Sequence, residues 1–485
     1  MPAVGRLHLP HGSIARNLAV VGGGTALGQG SIVLASPLLA RLYDPQAFGL
    51  LSVYTAVISV LLAVASLRFD LAIPTADDVD EAVHLLALSV LLALLASAAL
   101  GLVVLVWGGQ LAAGLGAAPL TPSLWVLPVA LLVAGIAQAL ASLAIYQRSF
   151  SALGRMRASQ GLAQVIAQVA LGLAHAGPVG LLLGDLAGRT LGIEQLVSSL
   201  RGPLRSTAWS WRSMVRYGRA RWGFARVMTV ASVINMISLQ IPFLLIPVLF
   251  DLDSTGQFFL AYRVLVLPAS LVAAAVSQVF FGEASLRRAD PRRLHDLAHS
   301  VSVSLFAFSI PTYAIVMVCG QALIQTVFGS QWQEAGQLAQ VLAPSLVLWA
   351  VASPISALLL IGRRERESLA FTAAELVVRA GALLIGAAVH SLLVGIVILS
   401  AAGVLLSLAS VWRFLRVAGV TLGQLVGPAL RIAALTAPFA LIVGVVGVIA
   451  PAVVPLVAGL GWAIAFGLAA RFSPETRALL SGTHD

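Results

Sequence analysis

Eight ionisable side chains stand inside or at the edges of long apolar runs: Arg68, Asp70, Asp185, Arg189, Glu194, Arg263, Glu375 and Arg379. A charge at membrane depth is costly and by default marks a substrate, ion or proton site. Arginines there can hold a phosphate or diphosphate through charge-assisted, bidentate hydrogen bonds. Arg68, Arg189, Arg263 and Arg379 are therefore candidate substrate-binding residues for an anion in a wet cavity. Asp70, Asp185, Glu194 and Glu375 are candidates for ion or proton coupling, or for tuning the arginines.

Spacing limits what each can do. Asp185 and Arg189 are four apart, as are Glu375 and Arg379, so each pair can meet on one helix face. Such a pair either neutralises itself between packed helices or lines the cavity. Arg263 lies about 9 Å from the outer end of its expected span, so it can also snorkel to the interface. The stretch SLRFDLAIP (66–74) closes an apolar run and is expected to be helical to its end. On a helix, residues two apart point about 200° away from each other. Arg68 and Asp70 are therefore expected to find different partners: Arg68 the inner mouth of a cavity, or the interface by snorkelling, and Asp70 a neighbouring helix or loop.

No enzyme signature accompanies these charges, and no catalytic residue is assigned. GGGTALGQG (22–30) lies within a span and follows no strand, so it is neither a Walker loop nor a dinucleotide fingerprint. Gly24 and Gly28 instead have the spacing of closely packed membrane helices. His295 and His299 are four apart with no positioned carboxylate base, and the one cysteine, Cys319, sits in an apolar stretch as a small core residue. Neither a cofactor nor a metal site is expected.

The elements that must carry these residues follow from composition. Hydrophobic residues make up 59% of the 485, and charged ones 10%, where a soluble chain carries about 25%. Mean hydropathy is +0.98. Such a chain cannot cover a globular surface, so the bilayer is its solvent. Each spanning helix needs about 20 mostly apolar residues. Runs of that kind fall at about 17–40, 50–74, 82–107, 124–147, 158–175, 178–200, 224–250, 257–281, 298–324, 337–361, 368–388, 393–412, 432–450 and 454–470. The fold class is therefore an all-α polytopic membrane protein of about 14 helices. The first run is longer than a signal-peptide core and is read as an uncleaved helix.

All 29 basic residues are arginine. With those spans, 25 of the 29 fall on one side, Arg41 falls on the other, and Arg189, Arg263 and Arg379 lie within spans. This asymmetry puts both termini in the cytoplasm. The arginines lie in short clusters between apolar runs, which is the positive-inside pattern rather than a nucleic-acid footprint. Outward loops are short and hold no domain. The longest inner connection contains RSTAWSWRSMVRYGRARW, whose interleaved aromatics and arginines suit an amphipathic helix on anionic headgroups.

That connection divides the chain into 1–200 (an N-lobe, spans 1–6), the basic linker 201–223, 224–416 (a C-lobe, spans 7–12) and 417–485 (spans 13–14 and a cytoplasmic tail). An internal repeat supports two lobes: LYDPQAFG from Leu42 and LFDLDSTG from Leu249 match at Leu, aromatic, Asp and Gly with one offset. Asp and Gly favour turns in any case, so convergence is the competing explanation. Pro242, Pro247, Pro268, Pro344 and Pro354 fall in spans 7, 8 and 10, where hinges are expected.

Four segments carry a resemblance: LARLYDPQAFGLLSVYTAVISVL (39–61), LRFDLAIPTADDVDEA (67–82), QIPFLLIPVLFDLDSTGQFFLAYRVLVLPASLVAAAVSQVFFGEAS (240–285) and VFGSQWQEAGQLAQVLAPSLVLWAVASPISALLLIGRR (327–364). With them the chain resembles the polysaccharide (O-antigen, Wzx-type) flippase family of the multidrug/oligosaccharidyl-lipid/polysaccharide exporter superfamily. The resemblance implies two six-helix lobes around a central cavity, with two helices appended. It implies that a polyprenyl-diphosphate-linked oligosaccharide moves from the cytoplasmic to the outer leaflet of a bacterial inner membrane, for surface polysaccharide biosynthesis. Expected partners are that lipid-linked glycan and membrane lipids, with a polysaccharide polymerase and glycosyltransferases as candidates, and no nucleic acid. A multidrug or small-molecule antiporter of the same superfamily and a lipid II flippase are the alternatives. A membrane glycosyltransferase or polymerase would need an outward or cytoplasmic catalytic domain, which the loops do not provide.

Overall fold

In a bilayer every backbone polar group must be satisfied within the protein, so apolar runs of this length become helices. The computed structural model describes residues 11–287, 290–362 and 364–472, which contain helices and no strand. Arg6, Arg288, Arg363 and Arg477, counted above among the inner arginines, and the tail beyond 472 lie outside the described residues.

The helices are α1 (His11–Leu42), α2 (Pro45–Ala65), α3 (Val79–Gly114), α4 (Val126–Tyr146), α5 (Phe150–Leu173), α6 (Pro178–Thr190), α7 (Ile193–Ser199), α8 (Arg201–Ser206) and α9 (Trp211–Leu249). They continue as α10 (Leu252–Leu286), α11 (Pro291–Phe328), α12 (Gln333–Ile355), α13 (Ala357–Ile361), α14 (Glu365–Ala388), α15 (Leu392–Leu415), α16 (Leu422–Ile449) and α17 (Val454–Phe472). Among the described residues ten spans are long and apolar enough to cross a membrane. Helices also occupy the other four expected positions, as α1, α5, α6 with α7, and α10.

Two compact units divide the chain. The first holds the described residues up to Tyr43 together with Tyr54–Met236. Its helices α1 and α5 meet through glycine: a Cβ on Gly24 would collide with the Gly154 carbonyl, and one on Gly28 with the Arg157 carbonyl. Small residues that admit backbone against backbone are how membrane helices gain packing without a hydrophobic driving force. The spacing of Gly24 and Gly28 serves this contact.

Segment 201–223 comprises α8 and the first turns of α9. It is tied to the start of α3. Arg221 donates from Nε to Glu81 Oε1 (2.7 Å) and from Nη2 to Glu81 Oε2 (3.0 Å) and the Thr75 carbonyl (3.2 Å). Tyr217 donates to Asp80 (3.0 Å), and His84 Nε2 accepts from the Ser210 amide (3.2 Å). The Arg221 hydrogen bonds hold the Glu81 carboxyl below its ordinary value, against the opposing effect of burial.

Two expected spans end early. α2 stops at Ala65 rather than 74, because Leu67 and Arg68 take φ of 47° and 57°, and the chain goes on as a 3-10 turn over Phe69–Thr75. α6 stops at Thr190, where Leu191 is extended and Gly192, at φ 85°, starts α7 in a new direction. A Cβ at Gly192 would sit 2.7 Å from Ser159 Oγ, so glycine is required twice over.

The second unit holds Asp44–Val53 with the described residues from Ile237 onward. The repeated octapeptides meet here. Asp44 accepts from the Ala47 amide (2.8 Å) at the start of α2, and Asp251 from the Ser254 amide (2.7 Å) at the start of α10. A Cβ on Gly49 would collide with the Leu252 carbonyl, and one on Gly256 with the Pro45 carbonyl. Pro45 and Leu252 are themselves repeat mates, so the contact is reciprocal, as across a two-fold axis. Gln257 then bridges to the Gln331 carbonyl (2.7 Å) and the Ala335 amide (3.0 Å), beside the fully buried Trp332. Cys319 is buried with Val443 and Val454, as expected of a core residue.

Candidate functional site

Each unit has its own polar cluster. In the first, the left-handed turn at Leu67–Arg68 brings together two residues that a helix would separate. Arg68 Nη1 lies 3.9 Å from Asp70 Oδ2. The expectation that the two point apart fails because it assumed helical backbone through residue 74. Asp70 is 1% exposed and fully engaged: it accepts from Ser66 Oγ and, at 2.6 Å, from Gln138 Nε2 on α4. Arg68 is not. Its Nε is buried with no acceptor among the described residues.

Gln138 also forms the wall of a cavity of about 130 Å³ lined by Leu62, Met156, Arg157, Gln160 and Arg189. Arg189 is held by Asp185 on the same face of α6, with Nε to Oδ2 at 2.5 Å and Nη2 to Oδ1 at 3.4 Å. Gln160 donates to the Arg189 carbonyl (3.3 Å), and Tyr54 packs beside the ion pair. Among the described residues Arg157 has no carboxylate at ion-pair distance. The cavity wall carries two guanidinium groups, Arg157 and Arg189, of which Arg189 is paired with Asp185, so Arg157 leaves positive charge at the wall for an anion.

Sequence reasoning missed Arg157, which it placed in the cytoplasmic loop before a span starting at 158. The helix in fact begins at Phe150, two turns earlier. It also missed the amides. Gln138 is the one amide in α4, and an amide in such a run was the available signal. Glu194 falls on α7 beyond the Gly192 break and is exposed, so the structure does not bring it to the cluster.

In the second unit Arg379, on α14, lines a cavity of about 80 Å³ with Tyr262, Ser345, Trp349, Glu375 and Ser407. Its Nη2 donates to Glu375 (3.3 Å), the other pair expected from spacing. Its Nη1 donates to the Ser238 carbonyl (2.7 Å) on α9. That carbonyl lies four residues before Pro242, whose missing N–H leaves it without a helical donor. Arg263 lies eleven residues into α10, about 16 Å along the axis, because α10 starts five residues before the expected span. Its guanidinium sits 5.6 Å from the centre of the Phe259 ring. Both clusters suit a phosphate-type ligand: guanidinium forks for the anion, with amides or hydroxyls and aromatic faces around it.

The model of a family described as polysaccharide biosynthesis protein matches residues 38–337. No curated protein sequence matches the chain. The fold is similar to that of lipid II flippase MurJ in an inward closed conformation, with a TM-score of 0.69 and 12% identity over 94% of this chain and 99% of that one. It is also similar to an inward-facing multidrug resistance MATE family transporter of the MOP superfamily (0.57, 15% identity, 83% of this chain and 97% of that one). A MOP superfamily transporter from Pyrococcus furiosus is a third likeness (0.58, 15% identity, 83% of this chain and 95% of that one). The multi-pass helical fold of these transporters and a family match over more than half the chain lead to one conclusion: this chain belongs to the polysaccharide biosynthesis protein family.

Proposed function

We propose that this protein is a flippase that carries a polyprenyl-diphosphate-linked oligosaccharide from the cytoplasmic to the outer leaflet of a bacterial inner membrane, by alternating access. The observation that carries the reading is a pair of guanidinium groups in the first unit: Arg68, whose Nε is buried and has no acceptor among the described residues, and Arg157 on the cavity wall, with no carboxylate at ion-pair distance among those residues. A diphosphate offers several anionic oxygens to such donors, each charge-assisted bond being worth about 1.5–3 kcal/mol. Arg189 adds to this charge in the first unit, Arg379 lines the cavity of the second, Arg263 on α10 is a further basic candidate, and the amides and aromatic faces suit the sugars. Fourteen crossings with both termini in the cytoplasm are part of this reading, drawn from the arginine asymmetry.

The carboxylates argue against a multidrug antiporter, which needs an acid free to take a cation or proton. Asp70 is occupied by Ser66 and Gln138, and Asp185 by Arg189. The test is genetic. In a host that depends on this protein for its surface glycan, Arg157→Ala is expected to insert normally, abolish glycan display and pile up lipid-linked oligosaccharide on the cytoplasmic leaflet. Normal display with normal insertion contradicts the reading.

A further inference from the structure

Helix α9, like α2, passes from one compact unit into the other. The division falls between Met236 and Ile237, one residue before Ser238. Pro242 removes the N–H that would close the helical bond to the Ser238 carbonyl. Ser238 is fully buried, so water is no substitute donor, and its own hydroxyl has no partner among the described residues. The donor comes from another helix: Arg379 Nη1, at 2.7 Å. The same guanidinium borders the cavity of Tyr262, Ser345, Trp349 and Ser407, where a ligand can reach it.

We infer that Arg379 is a positioning residue that couples anion capture to the α9 hinge. A phosphate oxygen is a stronger acceptor for a guanidinium than a neutral carbonyl. A diphosphate entering this cavity draws Arg379 off Ser238 and leaves the carbonyl without a donor, and α9 gives way at Pro242. Glu375, which holds Nη2 at 3.3 Å, keeps the guanidinium within reach of both acceptors. The latch is closed by default and opened by the anion. It rests on the proposed function only for the source of that anion, a lipid carrier rather than free phosphate.

The test is hydrogen–deuterium exchange on the full-length protein in lipid nanodiscs, read at the α9 backbone amides over 237–247. Three probes are compared: farnesyl diphosphate, inorganic pyrophosphate and farnesol. Binding of each is measured separately by calorimetry. Farnesyl diphosphate is expected to speed exchange about tenfold, a local opening of the helix; farnesol should do nothing. A matching response to pyrophosphate alone assigns the latch to free phosphate and overturns the lipid source. Arg379→Gln should exchange fast without any probe. Pro242→Ala restores the helical N–H to Ser238, so it should stay slow with diphosphate bound. Diphosphate binding without faster exchange in the native protein, or an unchanged response in Pro242→Ala, overturns the latch and leaves the flippase reading standing. Absence of diphosphate binding to folded protein sinks both.

Discussion

Arg68 and Asp70 were visible as residues but not as neighbours. Nothing in SLRFDLAIP announces two consecutive left-handed residues, because Leu67 and Arg68 are not among the Asn, Asp and His side chains enriched at φ > 0. The pairs at 185/189 and 375/379 were legible, since i,i+4 spacing is sufficient when the backbone is helical. What spacing could not reveal is that Arg379 also answers for a missing proline N–H on another helix. Roles at this scale can be separated by a double substitution. Arg189→Ala leaves Asp185, 5% exposed, as an unpaired buried charge and should destabilise the protein by about 3 kcal/mol. Adding Asp185→Asn should restore most of that stability in a thermal melt without restoring transport. Recovery of transport as well would make the pair purely structural.

At the level of elements, apolar runs located the long helices among the described residues, and the errors lie at their ends. α5 starts eight residues before its expected span and thereby carries Arg157 into a helix; α2 ends nine residues early. Polar residues at helix termini blur a hydropathy boundary, since the helix continues wherever its backbone bonds are made. The octapeptide repeat gained meaning only in three dimensions, where Gly49 and Gly256 each admit the backbone of the other's repeat. Neither hydropathy nor arginine count signalled that α9 is pinned to α3 by Arg221 and Glu81. That clamp titrates. Glu81 has a lowered carboxyl value in the folded protein, so its contribution is present above the unfolded value near 4.3 and is lost as pH falls through the lower folded one. Glu81→Gln should therefore lower the melting temperature at pH 7 and should narrow its gap to the native protein as pH drops below about 4. An equal gap at every pH would mean that the ion pair adds nothing to the packing.

For the molecule as a whole, hydropathy and charge asymmetry were enough for the class, and quoted segments were enough for the family. The fold matches transporters only 12% to 15% identical to it, because membrane helices preserve their packing through small residues and apolar bulk rather than through particular side chains. Function is less legible from the same facts, since helices of this fold can surround different cargo. In the proposed function the guanidinium groups of Arg68 and Arg157 receive the diphosphate of a lipid carrier. The most direct measurement is translocation in proteoliposomes: a fluorescent polyprenyl-diphosphate oligosaccharide is placed in one leaflet, and its arrival in the other is read by a membrane-impermeant quencher. Movement is expected with the native protein, and its loss in folded Arg68→Ala and Arg157→Ala. Undiminished movement in both variants, or none with the folded native protein, would contradict it.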